Sequence, residues 1–247
     1  MTPRTPPPPG DVLRRGALFL DFDGTLVEIA PTPDAVRVDP ALSGMLRTLH
    51  ERLGGALAIV SGRPLATLDA FLAPTRLPAA CEHGVVLRVT AEAPAETADV
   101  PSVPDAWRAA AAALAASVPG ALYEAKPHGF SLHARQAPAA MPRFEAALRD
   151  LIAEDERFLL LPAHMAWEVK PRAADKGTAV AALMARAPFR GRMPVFIGDD
   201  VTDEAAIAAA ERHGGVGLRV EESFGDPAGV RAWLARLLDE ADDAAAA

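Results

Sequence analysis

One cysteine, Cys81, is all that the 247 residues contain. An internal disulfide is therefore excluded, which fits a reducing compartment, and a cytoplasmic location is expected. No window approaches the roughly 20 uninterrupted apolar residues of a membrane-spanning helix, so no membrane role is expected. Residues 1–10 are proline-rich and lack the apolar stretch of a signal peptide; they read as a disordered lead-in. Runs of Lys or Arg are missing, and the net charge is −8. That balance disfavours a nucleic-acid partner, although local basic residues can still face a small anion. No internal repeat is visible, and a monomer is expected.

What the chain does have is apolar mass, half of its residues, enough to build a core. Short apolar runs at 17–20, 56–60, 79–81 and 85–89 predict strands. Helical spacing of Leu42, Met45, Leu46 and Leu49 predicts a helix over 40–53, and a second helix is expected over 64–72 with Pro64 at its first position. This alternation implies a doubly wound α/β fold with a parallel sheet. The pattern then breaks. Residues 90–104 read as a linker, and the order helix, strand, strand, helix, strand, strand over 105–170 suggests an inserted α+β unit. Alternation resumes with helices at 175–187, 202–210 and 227–238 and strands at 195–198 and 216–220. The expected division is a core of 11–100 plus 171–247 and an insert of 101–170. The alanine-rich tail after residue 240 is expected to fray.

The chemistry concentrates where the strands end, the place where doubly wound sheets bind ligands. Asp21 and Asp23 follow the first strand. Side chains two apart on an extended segment point to the same side, and two like charges there repel unless a cation or a reaction uses them. Asp-Gly is also a common turn pair, but an EF-hand is excluded because Gly24 is fourth in the loop where that motif has its glycine sixth. Ser61, Gly62 and Arg63 follow the second strand; Ser61 alone could be a helix cap. Lys176 opens the helix after the insert. Asp199, Asp200, Asp203 and Glu204 follow a later strand, more carboxylates than helix capping needs.

Together these groups suit phosphoryl transfer. Asp21 would be the nucleophile, passing through an aspartyl-phosphate. Mg2+ prefers one or two carboxylates with phosphate oxygens and water, which points to Asp21 and Asp199, with the Asp23 carbonyl as a third ligand. Asp200 and Asp203 would stand behind the metal. Ser61 and Lys176 would hold the phosphoryl oxygens. Asp23 would protonate the leaving group and later deprotonate water.

At this point the chain resembles the haloacid-dehalogenase-like phosphatases. Asp21-Phe22-Asp23-Gly24-Thr25 is similar to their first motif, Ser61 to the second, Lys176 to the third, and Gly198-Asp199 with Asp203 to the fourth. The insert is similar to their second type of cap. A closer resemblance is to the trehalose-6-phosphate phosphatase family, through Val60-Ser61-Gly62-Arg63, His83-Gly84, Glu124-Ala125-Lys126, Leu132 to Pro138, Glu168 to Arg172 and Asp175-Lys176-Gly177. The resemblance implies a sugar-phosphate substrate, contacted by Lys126, His133, Glu168 and Lys170, with Gly62, Arg63 and Arg135 also on the substrate side. It implies hydrolysis of trehalose 6-phosphate in trehalose biosynthesis. Another capped sugar-phosphate phosphatase, for sucrose phosphate or mannosyl-3-phosphoglycerate, is the nearest alternative; a non-catalytic module is a more distant one. The chain departs from the family at Ala134, usually a tyrosine, and at Val85-Val86-Leu87-Arg88, where Arg88 alone remains of two arginines. The loop at 221–226 looks short.

Overall fold

The computed structural model describes residues 4–246, with backbone alone for 240–246. In chain order the elements are α1 (Pro9–Arg15), β1 (Gly16–Leu20), α2 (Pro40–Arg52), β2 (Leu57–Val60), α3 (Leu65–Leu72), β3 (Ala79–Cys81), β4 (Val86–Arg88) and β5 (Glu96–Thr97). Next come α4 (Asp105–Ala116), β6 (Leu122–Ala125), β7 (Phe130–His133), α5 (Met141–Ile152), β8 (Phe158–Ala163) and β9 (Ala166–Pro171). The remainder is α6 (Lys176–Met184), β10 (Met193–Gly198), α7 (Glu204–Arg212), β11 (Val216–Arg219), α8 (Val220–Ser223) and α9 (Pro227–Ala246).

The larger sheet has the order β11-β10-β1-β2-β3-β4-β5. Its first five strands are parallel. All residues of β1 are buried, as suits a central parallel strand covered on both faces. From β1 the order runs one way to β3, and from β10 the other way to β11. Right-handed crossovers therefore place α2 and α7 on opposite faces. The crevice between β1 and β10, where the order reverses, is where such sheets bind ligands. Leu20 pairs with Ile197 across it, and the Asp21 N–H extends the ladder by donating to the Ile197 carbonyl at 2.9 Å. Asp21 and Asp199 thus leave adjacent strands side by side.

The second sheet, β6-β7-β9-β8, is antiparallel. It has its own apolar cluster, including Phe130, Phe144, Phe158 and Val169, separate from the cluster around β1 and β10. Among the described residues no helix is long and apolar enough to cross a membrane.

Several expectations need correction. The proline-rich stretch read as a lead-in makes contacts from Arg4 onward. Arg4 pairs with Glu211, its carbonyl accepts from Ser223 Oγ, and α1 begins at Pro9; residues 1–3 lie outside the described residues. Pro64 is the cap of α3 and stands outside it, with an extended ψ of 146°. The linker at 90–104 contains β5, and β4 and β5 are antiparallel strands, with β5 at the sheet edge. The helix expected from residue 202 starts as a 3-10 turn, Val201–Asp203. The short loop after β11 contains α8. The last helix continues to Ala246 instead of fraying after 240.

Candidate active site

Gly24 makes the first motif possible. Its φ of +79° is a left-handed conformation that side chains rarely adopt. A Cβ there would also lie 2.1 Å from Asp199 Oδ2. The turn lets the Asp21 loop close against the loop after β10. Thr25, fully buried, shares its hydroxyl between Asp21 Oδ2 at 3.3 Å and Asp199 Oδ1 at 3.2 Å.

Lys176, the first residue of α6, reaches into this group from the side. The Asp175 side chain caps α6 by accepting from the Thr178 N–H at 2.8 Å, which fixes the start of the helix. The Lys176 ammonium donates to Asp21 Oδ1 at 2.7 Å and to Asp203 Oδ1 at 2.6 Å. Asp203 is fully buried, and its other oxygen accepts from the N–H groups of Asp199 and Asp200. It therefore holds both the ammonium and the loop that carries Asp199.

The electrostatics leave a deficit of positive charge. Burial, with Asp203 and Asp199 adding repulsion, raises the Asp21 carboxyl well above its ordinary value despite Lys176. Burial and then Asp203 push Asp199 up to about 6. Lys176 is displaced upward: burial opposes its charge, but Asp203 and Asp21 outweigh burial. Carboxylate oxygens of Asp21, Asp199 and Asp203 lie within 4.8 Å of one another. A hard divalent cation fits this all-oxygen, over-acidic group. Asp203 lies behind the cleft, held by Lys176 and two backbone N–H groups, whereas Asp21 and Asp199 line the cleft and are the carboxylates placed to hold it. Asp200 has a smaller part: its side chain accepts from the Val201 N–H at 2.6 Å and forms a capping box with Asp203.

Asp23 points across the cleft to Arg63. Nε donates to Oδ2 at 2.6 Å and Nη2 to Oδ1 at 2.7 Å. Arg63 is itself held by the Pro33 carbonyl at 3.1 Å and lies over the rings of Phe22 and Phe71. Ser61, 1% exposed, accepts from the Arg63 N–H at 3.2 Å. Gly62 has a spatial role as well: a Cβ would sit 2.6 Å from His83 Nε2.

The second sheet supplies the opposite wall. Glu168 is buried, with Lys126 Nζ 2.7 Å from Oε2 and His83 Nε2 3.2 Å from Oε1. Burial pushes the Glu168 carboxyl up, but Lys126 and His83 together outweigh it, so it lies far below the usual carboxylate range. His133 Nε2 meets Glu124 Oε2 at 2.7 Å across β6 and β7. Arg135 donates to the Ala30 carbonyl, while its buried Nε has no partner. One cleft is lined by Asp21, Asp23, Ser61, Gly62, Arg63, Lys176, Asp199 and Asp200 from one side and Lys126, His133, Arg135 and Glu168 from the other.

Lys170 departs from the sequence reading. It does not line that cleft, and its ammonium donates to the Ala174 carbonyl, with the Pro171 carbonyl at 3.5 Å. Arg88 is also remote, buried on Asp69 and the Leu77 carbonyl. Conversely, Thr25, His83, Glu124, His164 and Thr202 line or bridge the site without having been selected. Glu124 carried a signal, the two-residue spacing to Lys126 on a strand. Thr25 carried none beyond its place in the first motif.

Comparison with known proteins agrees with this geometry. A family model described as trehalose-phosphatase matches residues 19–228. A probable trehalose-phosphate phosphatase of Sinorhizobium fredii is 40% identical over 208 residues, 83% of this chain and 77% of that protein. The trehalose-6-phosphate phosphatase of Escherichia coli is 38% identical, with the same coverage. The solved C-terminal domain of C. albicans trehalose-6-phosphate phosphatase shares the fold, with a TM-score of 0.75 at 19% identity over 91% of this chain and 92% of that one. With four motifs gathered at one sheet end and the family match spanning them, the chain belongs to the trehalose-phosphatase family.

Proposed function

We propose that this protein hydrolyses trehalose 6-phosphate to trehalose and phosphate through an aspartyl-phosphate on Asp21. The observation that carries the reading is the single cleft that joins the Asp21–Lys176 group to Lys126, His133 and Glu168. A phosphate ester needs the first set, and a hydroxyl-rich sugar suits the second, since charged groups make the stronger hydrogen bonds to it.

An Asp21 oxygen attacks phosphorus as the bond from phosphorus to the sugar oxygen breaks. Asp23 gives that oxygen its proton. Water then attacks the aspartyl-phosphate, Asp23 takes the water's proton, and Asp21 is regenerated. Lys176 and the Ser61 hydroxyl hold the phosphoryl oxygens while charge moves among them. Mg2+, held by Asp21, Asp199 and the Asp23 carbonyl, would supply charge neutralisation between nucleophile and phosphate. Arg63, Gly62 and Arg135 border the phosphate end.

Residues 11–100 and 171–247 act in this reading as the catalytic core and 101–170 as a cap; the two separate apolar clusters support that division. The cleft encloses about 130 Å³. Ligand pockets usually hold about 300–1,000 Å³. Entry of a disaccharide phosphate therefore requires the cap to move away, and its return excludes water. Phosphate release by Asp21→Asn tests the mechanism: it should fall to background with the protein still folded, and a variant retaining a tenth of the activity would refute it.

A further inference from the structure

Glu82 and His83, between β3 and β4, both take left-handed backbone conformations, with φ of +49° and +55°. Two successive non-glycine residues in that region are strained, and such strain persists where the surroundings enforce it. Here both side chains are buried, and both reach the second sheet. His83 faces Glu168, as described above. Glu82 Oε2 accepts from the His128 backbone N–H at 3.3 Å and lies 3.2 Å from His128 Nδ1. His128 belongs to the turn between β6 and β7 and matches none of the sugar-contacting positions.

That turn is stiff. Arg108 on α4 donates to three of its carbonyls: Lys126 at 2.7 Å, Pro127 at 2.7 Å and Gly129 at 2.8 Å. The Lys126 N–H closes it onto the Gly129 carbonyl at 3.1 Å. A force applied at His128 is therefore transmitted to Lys126, two residues away. Lys126 in turn carries the ammonium that meets Glu168 at 2.7 Å in the cleft.

We propose that Glu82 is a positioning residue that docks the β6–β7 turn through His128 and thereby sets Lys126 over the substrate. The strained turn presents Glu82 to the cap, and the grip on one N–H and one imidazole registers the two sheets at a fixed point. Glu82 touches no reacting atom, so it acts on binding of the sugar portion and leaves the phosphoryl chemistry alone. The kinetic part of this inference rests on the trehalose 6-phosphate reading; the docking part does not.

A double-mutant cycle tests it. Glu82→Ala and His128→Ala should each raise KM for trehalose 6-phosphate about tenfold, with kcat for a small aryl phosphate unchanged. The pair together should raise KM no further than Glu82→Ala alone, as expected for partners in one contact. Glu82→Gln, which keeps an acceptor, should recover most of the loss. Hydrogen exchange without substrate gives a second readout: the amides of residues 126, 128 and 129 should exchange faster in either variant. Additive effects on KM, equal losses on the aryl phosphate, or unchanged exchange at residues 126, 128 and 129 would each overturn the docking role. If the unaltered protein released no phosphate from trehalose 6-phosphate, the substrate reading would fail, and exchange alone would decide the docking. Where Glu82→Ala does not fold, His128→Ala and Glu82→Gln carry the same comparison.

Discussion

The Asp23 carboxylate and the Arg63 guanidinium meet in a two-point grip, at 2.6 and 2.7 Å. The group assigned to proton transfer is thus held on the wall of the cleft, with the guanidinium anchored by Pro33 and two phenylalanine rings. The grip therefore sets where Asp23 stands relative to the leaving oxygen.

Arg63→Lys keeps the charge but loses the planar fork. Hydrogen bonds to charged groups contribute about 1.5–3 kcal/mol, so kcat should fall about tenfold or more. The Mg2+ concentration for half-activity should stay the same, because Arg63 bonds the Asp23 carboxylate and neither Asp21 nor Asp199. Steady-state kinetics over a Mg2+ series separates the two parameters.

Gly24→Ala places a methyl 2.1 Å from Asp199 Oδ2 at a φ of +79°. Either the loop opens or Asp199 turns away. Both outcomes weaken the cation site, so Mg2+ affinity measured by calorimetry should drop at least tenfold, and activity with it. Gly191→Ala is the control: it has a similar φ of +78° but nothing near its Cβ. It should cost some stability and no Mg2+ affinity.

Asp199 gives a pH-dependent signature. Its folded pKa, raised from 3.8 to about 6 by burial and Asp203, means that the folded protein holds more protons than the unfolded chain in that interval. This contribution to stability is present below pH 3.8 and is lost as pH rises through about 6. Asp199→Asn removes the dependence. In chelator, the variant should match the unaltered protein near pH 4 and melt a few degrees higher at pH 7. Saturating Mg2+ should narrow the gap at pH 7 by stabilising only the unaltered protein. A melting difference that does not change with pH contradicts the assignment.

Lys126→Ala leaves Glu168 buried with one cationic neighbour fewer. Removing one partner of a buried ion pair costs about 3–5 kcal/mol. The denaturant midpoint should fall accordingly in urea unfolding of the second sheet. Lys126→Ala with Glu168→Gln should recover part of the loss, since the stranded charge is then gone.

The four catalytic motifs were legible because each pairs a strand end with a residue type that has no cheap structural use there. Asp21 after four buried apolar residues is such a case; a lone Lys176 is not, and it gained meaning only beside the others. The alternation of strands and helices gave the core and the insert, but not β4 and β5, whose short antiparallel pairing leaves no period to read. For Asp200, capping and metal support look alike in sequence, and the structure shows the capping contacts. For Lys170, two-residue spacing from Glu168 puts both on one face of β9, but the spacing did not show that its ammonium turns to the carbonyls of Pro171 and Ala174. Glu82 and His128 were invisible as a pair, since the sheets that bring them together are distant in sequence.

Phosphate release from a panel of sugar phosphates, with Mg2+ and with chelator, tests the central claim most directly. The site as proposed predicts that trehalose 6-phosphate exceeds glucose 6-phosphate and sucrose 6-phosphate by about 100-fold or more in kcat/KM, since the proposed contacts of Lys126, His133 and Glu168 with the sugar act in the transition state as well as in the complex. Chelator should abolish the release, and added Mg2+ should restore it. Equal kcat/KM on glucose 6-phosphate, or release that persists in chelator, would contradict the account.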